Sequence, residues 1–349
     1  MDAAKIIAAI AYTAPFHLPV LYDLARDSCL PSESEGNMAS QAVVAPLPLI
    51  TIPLTVGVGA EVTPVALLTK DELALEPTIF GLHSSQAALP TPFMSIVEPR
   101  LMKNVPSEIA WSGAFAALIG CIEGFVSGTG YVPDALSCQG IERVGRCMQS
   151  AREARDEGGK QVGLSYAQQE AVAQASVASG LVRSRSQLTL VDALAAATSC
   201  STGVPHAIAL ARLYPGLVKL MLGTEEDCPT RPRYQHAAML ASGVPGTDLT
   251  KWLEEALHMR RVPTLGTLGL SLEDVPGILG TNVVIQAAEA AGIVPVALQA
   301  LFQQELSRPD VARQENGTGG FENAVLTAEK EDALTAKEAE AAATGLRPR

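Results

Sequence analysis

The strongest constraint in this sequence is a change of pattern near residue 105, where short apolar runs interrupted by proline give way to long helical patterns. Before this point, apolar runs predict strands at 47–55, which reads as buried, at 63–69 and at 93–99. After it, the spacing of apolar residues predicts helices over 107–127, 135–156, 165–184, 188–200, 206–222, 234–242 and 248–259, with two more near 282–305. Strands first and helices afterwards are typical of two segregated domains.

The domain organisation follows from this change. We expect an α/β domain over 1–105 that begins with a helix at 2–12, an all-helical domain over 106–306, and a tail over 307–349. The length of 349 residues is sufficient for two domains. The tail has few large apolar residues and many Glu, Lys and Ala, so we expect it to be disordered or to form a frayed, solvated helix.

Charge and cysteine usage exclude several classes of protein. The formal net charge of −12 disfavours nucleic acid and anionic membranes as partners, and solvation of the surface alone explains it. The six cysteines form no CxxC pair, which argues against a zinc ribbon or a redox dithiol and fits a reducing compartment. The apolar run 109–121 suits a buried helix better than a membrane span. We therefore expect a cytoplasmic or mitochondrial location.

A glycine-rich loop follows the first predicted strand, in the segment 52–72, IPLTVGVGAEVTPVALLTKDE. Such a loop exposes backbone N–H groups that can bind the oxygens of a phosphate. Gly57 and Gly59 can equally serve only a tight turn, because glycine adopts the backbone angles that turns require. The loop alone therefore leaves a nucleotide site and a simple turn both open.

Taken with four other segments, this loop resembles the iron-containing (group III) alcohol dehydrogenases. The other segments, in the order of that family, are MDAAKIIA (1–8), SGAFAALIGCIEGFVS (112–127), GVPHAIALARLYPGLV (203–218) and VPTLGTLGLSLEDVPGIL (262–279). The resemblance spans residues 1–305. It implies α/β plus all-α architecture of the dehydroquinate synthase-like type, with an incomplete Rossmann-like dinucleotide-binding part followed by a helical metal-binding domain.

The resemblance also implies NAD(P) and an Fe²⁺ or Zn²⁺ ion held by one aspartate and three histidines. These four ligands fall on positions 116, 120, 192 and 206, here called the metal positions. Ala116 and Gly120 cannot bind a metal, which leaves Asp192 and His206 as candidate ligands. A catalytic metal needs about three protein ligands, so tight binding is not expected. Asp192 can instead lie on a solvated helix face, His206 can cap or pack, and Glu123 is expected to be a structural hydrogen-bonding residue.

The cofactor loops of the family are only partly represented. The first, a GGGS loop, would precede residue 1, which suggests an N-terminally truncated chain. In the second loop, Val58 and Ala60 stand where the family has hydroxyl side chains. Thr55, Gly57 and Gly59 are therefore the candidate cofactor-binding residues.

Three interpretations of function follow. The first is a degenerate member of the family that has lost its metal and cofactor sites and acts as a partner or remnant. The second is an active NAD(P)-dependent oxidoreductase with a remodelled site, acting on a small alcohol or aldehyde. The third is a gene model that lacks an upstream exon. Because an incomplete N-terminal domain leaves strand edges unpaired, we also expect either poor stability or shielding of these edges in a homo-oligomer or by a partner subunit.

Overall fold

The computed structural model describes residues 4–5, 8, 47–68, 78–80, 91–128, 130–150, 163–184, 188–223 and 228–309. All of them belong to the unit Met1–Pro309. Residues 4, 5 and 8 are helical, as expected, while the rest of the predicted helix 2–12 and the predicted tail beyond 309 lie outside the described residues.

The strands of the described N-terminal part are short. They are β1 (Ile50–Thr51), β2 (Ala66–Leu68), β3 (Thr78–Phe80) and β4 (Met94–Ser95). β1 pairs in parallel with β4, so that Ile50 lies opposite Met94, and β2 pairs antiparallel with β3. The 78–80 strand was not predicted from the sequence.

The prediction of a buried strand over 47–55 is wrong in both length and burial. Regular pairing covers only Ile50–Thr51, and alternate side chains face solvent: Ile50, Ile52 and Leu54 are exposed, whereas Thr51 and Pro53 are buried. Proline has no N–H to donate, so Pro53 cannot extend the ladder of hydrogen bonds. A continuous apolar run also gives no sign of which face is covered.

The helices account for most of the described chain. They are α1 (Ser107–Val126), α2 (Tyr131–Ser150), α3 (Tyr166–Arg183), α4 (Leu190–Thr202), α5 (His206–Gly223), α6 (Arg231–Ser242), α7 (Leu249–Met259), α8 (Val275–Leu279), α9 (Asn282–Ala291) and α10 (Pro295–Leu306). The helices predicted from periodicity are confirmed to within about four residues at the described ends. The short helix α8 was not predicted.

Helix α1 is the centre of the core and packs against α2, α3, α5 and α6. In the described part of the chain it is long and apolar enough to cross a membrane, but 89% of its most apolar window is buried inside the fold. Trp111, Phe115, Ile119 and Ile122 are all buried. Burial on every side is what a helix surrounded by other helices requires.

Helix α3 connects the helical core to the strand region. It begins with a capping box, in which Ser165 accepts from the backbone N–H of Gln168 and the Gln168 side chain accepts from the N–H of Ser165. It packs against α1 and α2 and also against two short 3-10 turns, at Ala60–Val62 and Pro99–Met102. This position places α3 beside both parts of the predicted site.

Candidate functional site

The glycine-rich loop 56–61 leaves β1 and enters the 3-10 turn Ala60–Val62 on the surface of α3. Gly59 has a positive φ of 74°. A Cβ atom at Gly59 would lie 2.3 Å from the Cα of Gly180, which is backbone and cannot give way. Gly59 therefore supports both the turn and a direct backbone contact with α3.

Gly57 also faces the protein. A Cβ atom there would lie 3.5 Å from the Cα of Gly113 on α1, an ordinary contact distance. The N–H of Gly57 donates a 3.0 Å hydrogen bond to Oγ of Ser176 on α3. A phosphate would need free amides of this kind, but the N–H of Gly57 is already engaged within the protein. Thr55, the third predicted cofactor residue, is exposed.

A buried polar network holds the base of this loop. Ser176 Oγ donates to Oε1 of Glu61 at 2.9 Å, and Thr51 Oγ1 donates to the Glu61 carbonyl oxygen at 2.8 Å. Burial raises the pKa of the Glu61 carboxyl, while hydrogen bonds and the nearby Lys5 oppose the rise. Lys5 is itself buried and donates to the carbonyl oxygen of Val65 at 2.6 Å. The network connects the loop to Lys5 and to α3.

The first two metal positions lie in the interior of α1. Ala116 and Gly120 are both buried. A Cβ atom at Gly120 would lie 1.9 Å from Oγ of Ser179 and 3.2 Å from Cδ of Arg183. The volume that a histidine at position 120 would need is thus filled by side chains from α3.

Asp192, at the third metal position, lies in the first turn of α4 and is buried. Its Oδ1 forms an ion pair with Nη2 of Arg183, and its Oδ2 accepts a 2.8 Å hydrogen bond from Oγ1 of Thr189. The expectation of a solvated face is therefore wrong for Asp192. Every residue from 190 to 198 is buried, so this carboxylate needs a partner within the protein.

His206, at the fourth metal position, begins α5 directly after Pro205 and is half-buried. Among the residues that the structure describes, no group of three or more His, Cys, Asp and Glu side chains could hold a metal ion. Among the described residues, Asp192 is thus paired with the side chain of Arg183 and does not form a metal-binding group with His206.

Glu123 lies at the centre of a buried hydrogen-bonded group. Its Oε1 accepts from Oη of Tyr214 at 2.7 Å and from Oη of Tyr234 at 3.4 Å. Burial raises the pKa of Glu123 to about 7; the hydrogen bond from Tyr214 opposes this rise, Asp192 adds to it, and Arg183 opposes it weakly. Burial also raises the pKa of both tyrosines. The expectation that Glu123 makes hydrogen bonds is confirmed.

The residues of α3 that fill the site were missed from the sequence. Ser176 and Ser179 occur in a run of small residues, AQASVASG (173–180), which is the only local signal of close helix packing. Arg183 is in the last turn of α3, where a basic side chain commonly interacts with the helix dipole at the surface. Neither pattern indicates that these side chains reach the metal positions.

The donors present do not fit the metal ion that the family resemblance implies. Two of the four metal positions carry no donor, and Asp192 is already neutralised by Arg183, whose charge would repel a divalent cation. The surfaces of Gly57 and Gly59 do not fit a phosphate either, because each lies against a helix. An open groove of about 480 Å³ lies elsewhere, between residues 266–272 and the end of α10.

Comparison with known proteins gives sequence relatives of one kind. No protein-family profile matches the chain. The chain is 27% identical over 194 residues to the probable alcohol dehydrogenase EutG of Escherichia coli K12, covering 54% of this chain and 45% of that protein. It is 24% identical over 241 residues to alcohol dehydrogenase 4 of Saccharomyces cerevisiae, covering 67% of this chain and 58% of that protein. The chain thus spans about half the length of these relatives.

Solved structures agree in fold. An alcohol dehydrogenase from an archaeal halo-thermophile of a Red Sea brine pool matches with a TM-score of 0.68 at 22% identity, over 87% of this chain and 74% of that one. An iron-containing alcohol dehydrogenase from Thermotoga maritima matches with a TM-score of 0.62 at 20% identity, over 88% and 72%. The chain is therefore similar in sequence to alcohol dehydrogenases, and it shares the fold of the iron-containing alcohol dehydrogenases.

Proposed function

We propose that this chain is an iron-type alcohol dehydrogenase-like protein that keeps the fold but does not perform metal-dependent hydride transfer. The observation that carries the proposal is the packing at Gly120. The space beside this residue holds Ser179 and Arg183, so the helix that would present two metal ligands presents none. In the family, as the resemblance implies, the metal polarises the oxygen of the substrate, and that polarisation would have no source here.

The glycine-rich loop supports the same proposal independently. A phosphate-binding loop must direct free amides at its ligand, yet the N–H of Gly57 donates to Ser176 and Gly59 contacts Gly180. Both contacts come from α3. The same helix therefore contacts both the glycine-rich loop and the metal positions at Gly120 and Asp192.

The finer architecture is part of the proposal. We assign the parallel pair β1 and β4 to a Rossmann-like part over 1–105, and the helices over 106–306 to the domain that carries the metal positions in a dehydroquinate synthase-like arrangement. The short parallel pairing of Ile50 with Met94 supports this assignment, because parallel strands are characteristic of dinucleotide-binding sheets. If the chain retains a ligand, a small alcohol or aldehyde is the substrate class to test.

A combined assay on the full chain tests the proposal. Metal content is measured after purification with and without added Fe²⁺ or Zn²⁺, and the melting temperature is measured with and without NADH or NADPH. We expect no stoichiometric metal, no rise in melting temperature, and no oxidation of small primary alcohols. A ligand that binds only the folded state must raise the melting temperature.

The outcomes separate the alternatives. A purified 1,3-propanediol dehydrogenase serves as the positive control for metal loading and turnover. Stoichiometric iron or zinc together with NAD(P)-dependent turnover would overturn the proposal. Cofactor-induced stabilisation without metal would instead support an oxidoreductase with a remodelled, metal-independent site.

A further inference from the structure

We infer that the guanidinium of Arg183 is the resident counter-ion of Asp192 and has replaced the metal cation of the family at this point in the fold. The inference rests on the proposed function, since it explains how the fold persists once the metal is absent. It assigns to Arg183 a role that depends on positive charge and on reach, both of which can be varied by substitution.

The burial of Asp192 requires a cation. Its side chain is 6% exposed, and the side chain of Arg183 is 18% exposed. A carboxylate taken out of water is strongly destabilising unless it is paired and hydrogen-bonded. Asp192 has both kinds of partner, because Arg183 binds one oxygen and Thr189 donates to the other. The negative charge of Asp192 is therefore balanced by a cationic side chain of the protein itself.

The route of the Arg183 side chain depends on Gly120. Cδ of Arg183 lies 3.2 Å from the point where a Cβ atom of residue 120 would be, and Oγ of Ser179 lies 1.9 Å from it. Any side chain at position 120 would displace these groups from the surface of α1. The loss of a donor at Gly120 and the arrival of a guanidinium at Asp192 are thus two parts of one structural change.

The exposed pair Arg146–Glu142 offers a matched control. It is also an arginine–carboxylate pair on a helix, but its side chains are 73% and 45% exposed. Exposed pairs contribute little to stability, whereas removing one partner of a buried pair leaves an uncompensated charge. If burial is what makes Arg183 necessary, the same substitution must have very different effects at the two sites.

The test is a double-mutant cycle on the full chain, with melting temperatures measured at a single scan rate. We expect Arg183→Met to lower the melting temperature by roughly 5–10 °C. The double variant Arg183→Met/Asp192→Asn is expected to lose clearly less than the sum of the two single variants. Arg183→Lys, which retains charge, is expected to recover part of the loss. Arg146→Met should change the melting temperature by no more than about 1–2 °C.

Other results would overturn the inference. Additive effects of the substitutions at Arg183 and Asp192, or a loss at Arg183 no larger than at Arg146, would contradict it. Equal melting temperatures of Arg183→Met and Arg183→Lys would do the same, because packing alone would then explain the side chain. If Arg183→Met does not fold, the melting temperatures of Arg183→Lys and Asp192→Asn are compared with that of Arg146→Met instead.

The inference and the proposed function can fail separately. Stoichiometric metal together with NAD(P)-dependent turnover in the unmodified protein contradicts the proposed function, whatever the cycle gives. Additivity in the cycle contradicts the inference and leaves the absence of metal-dependent chemistry unaffected. Metal content is therefore measured on the same preparations that are used for the melts.

Discussion

The helical region and the strand region bury their apolar side chains to very different extents. In α1, Trp111 and Ile119 are each 1% exposed, whereas Ile50 and Ile52 in the strand region are 54% and 52% exposed. Met94, beside Ile50 in the parallel pair, is exposed as well. Parallel sheets are normally covered on both faces, so the exposed row on β1 and β4 is unusual for this type of pairing.

The difference shows which part of the described fold is closely packed. The metal positions on α1 have been absorbed into the packing of helices, where Ala116 and Gly120 contribute to the core like their neighbours. Among the described residues, the strand region contacts α3 through the turns Ala60–Val62 and Pro99–Met102. Small residues at these two positions are compatible with close packing of the surrounding helices.

The largest effect should come from the core of α1. We expect Ile119→Ala to lower the free energy of unfolding by about 4 kcal/mol, because it leaves a cavity among packed helices. Ile52→Ala in the exposed row should change it by no more than about 0.5 kcal/mol. Chemical denaturation of both variants checks this contrast. Equal losses at the two sites would mean that the exposed row is covered in solution.

The junction between the two regions gives the next largest effect. Gly59→Ala should cost about 3 kcal/mol, because alanine is disfavoured at positive φ and its Cβ meets the backbone of Gly180. Gly57→Ala should cost less than about 1 kcal/mol, because its Cβ would make only ordinary contacts. Thermal or denaturant unfolding of the pair measures both. A tolerant Gly59 would show that the loop is not packed on α3.

Glu123 predicts a pH dependence of stability. Burial raises its pKa from 4.5 to about 7, so between these values the folded state binds more protons than the unfolded state. The contribution of the Glu123 carboxyl to the free energy of unfolding is fully present below pH 4.5 and is lost as the pH rises through 7. The loss is on the order of 3 kcal/mol, since one pKa unit corresponds to about 1.4 kcal/mol.

The variant Glu123→Gln isolates this contribution. We compare the unfolding free energies of the variant and the unmodified protein at pH 4.5 and at pH 7. The difference between the two proteins should shift in favour of the variant as the pH rises. The exposed Glu142→Gln serves as the control and should leave the difference unchanged. A parallel response of Glu123→Gln and the unmodified protein would contradict the prediction.

The smallest effect concerns the hydrogen bonds of Ser176. Ser176→Ala removes the acceptor of the Gly57 amide and the donor to Glu61, and it should cost about 1–2 kcal/mol. Ser184→Ala at the end of the same helix removes one partly exposed hydrogen bond to Leu181 and should cost no more than about 0.5 kcal/mol. Denaturant titration resolves the two. No loss at Ser176 would show that water replaces its partners.

Helical segments could be predicted from the sequence, because their signals are local. The start of α3 is an example: Ser165 and Gln168 form a capping box that depends on only four consecutive residues. The strand 47–55 could not be predicted in the same way. Whether Ile50 faces a neighbour or solvent depends on which distant segments cover the sheet, and an apolar run looks the same in either case.

The sequence predicted which metal ligands are missing from the candidate site, but it did not predict which side chains take their place. The absence of donors at Ala116 and Gly120 could be read from the residues themselves. The partner of Asp192 could not, because Arg183 lies on a different helix and its position in a last turn suggests a surface residue. A buried ion pair between helices is a tertiary feature, which residue spacing along one helix does not encode.

The backbone contact between Gly59 and Gly180 has a mechanical consequence. With no side chain on either partner, the loop has no compressible layer through which it could slide or open by itself. A displacement of the loop toward α3 would have to shift the backbone of that helix, which also carries the arginine that balances Asp192. Because Gly180 and Arg183 lie together in the last turn of this helix, strain introduced at the loop contact would also be felt electrostatically at Asp192.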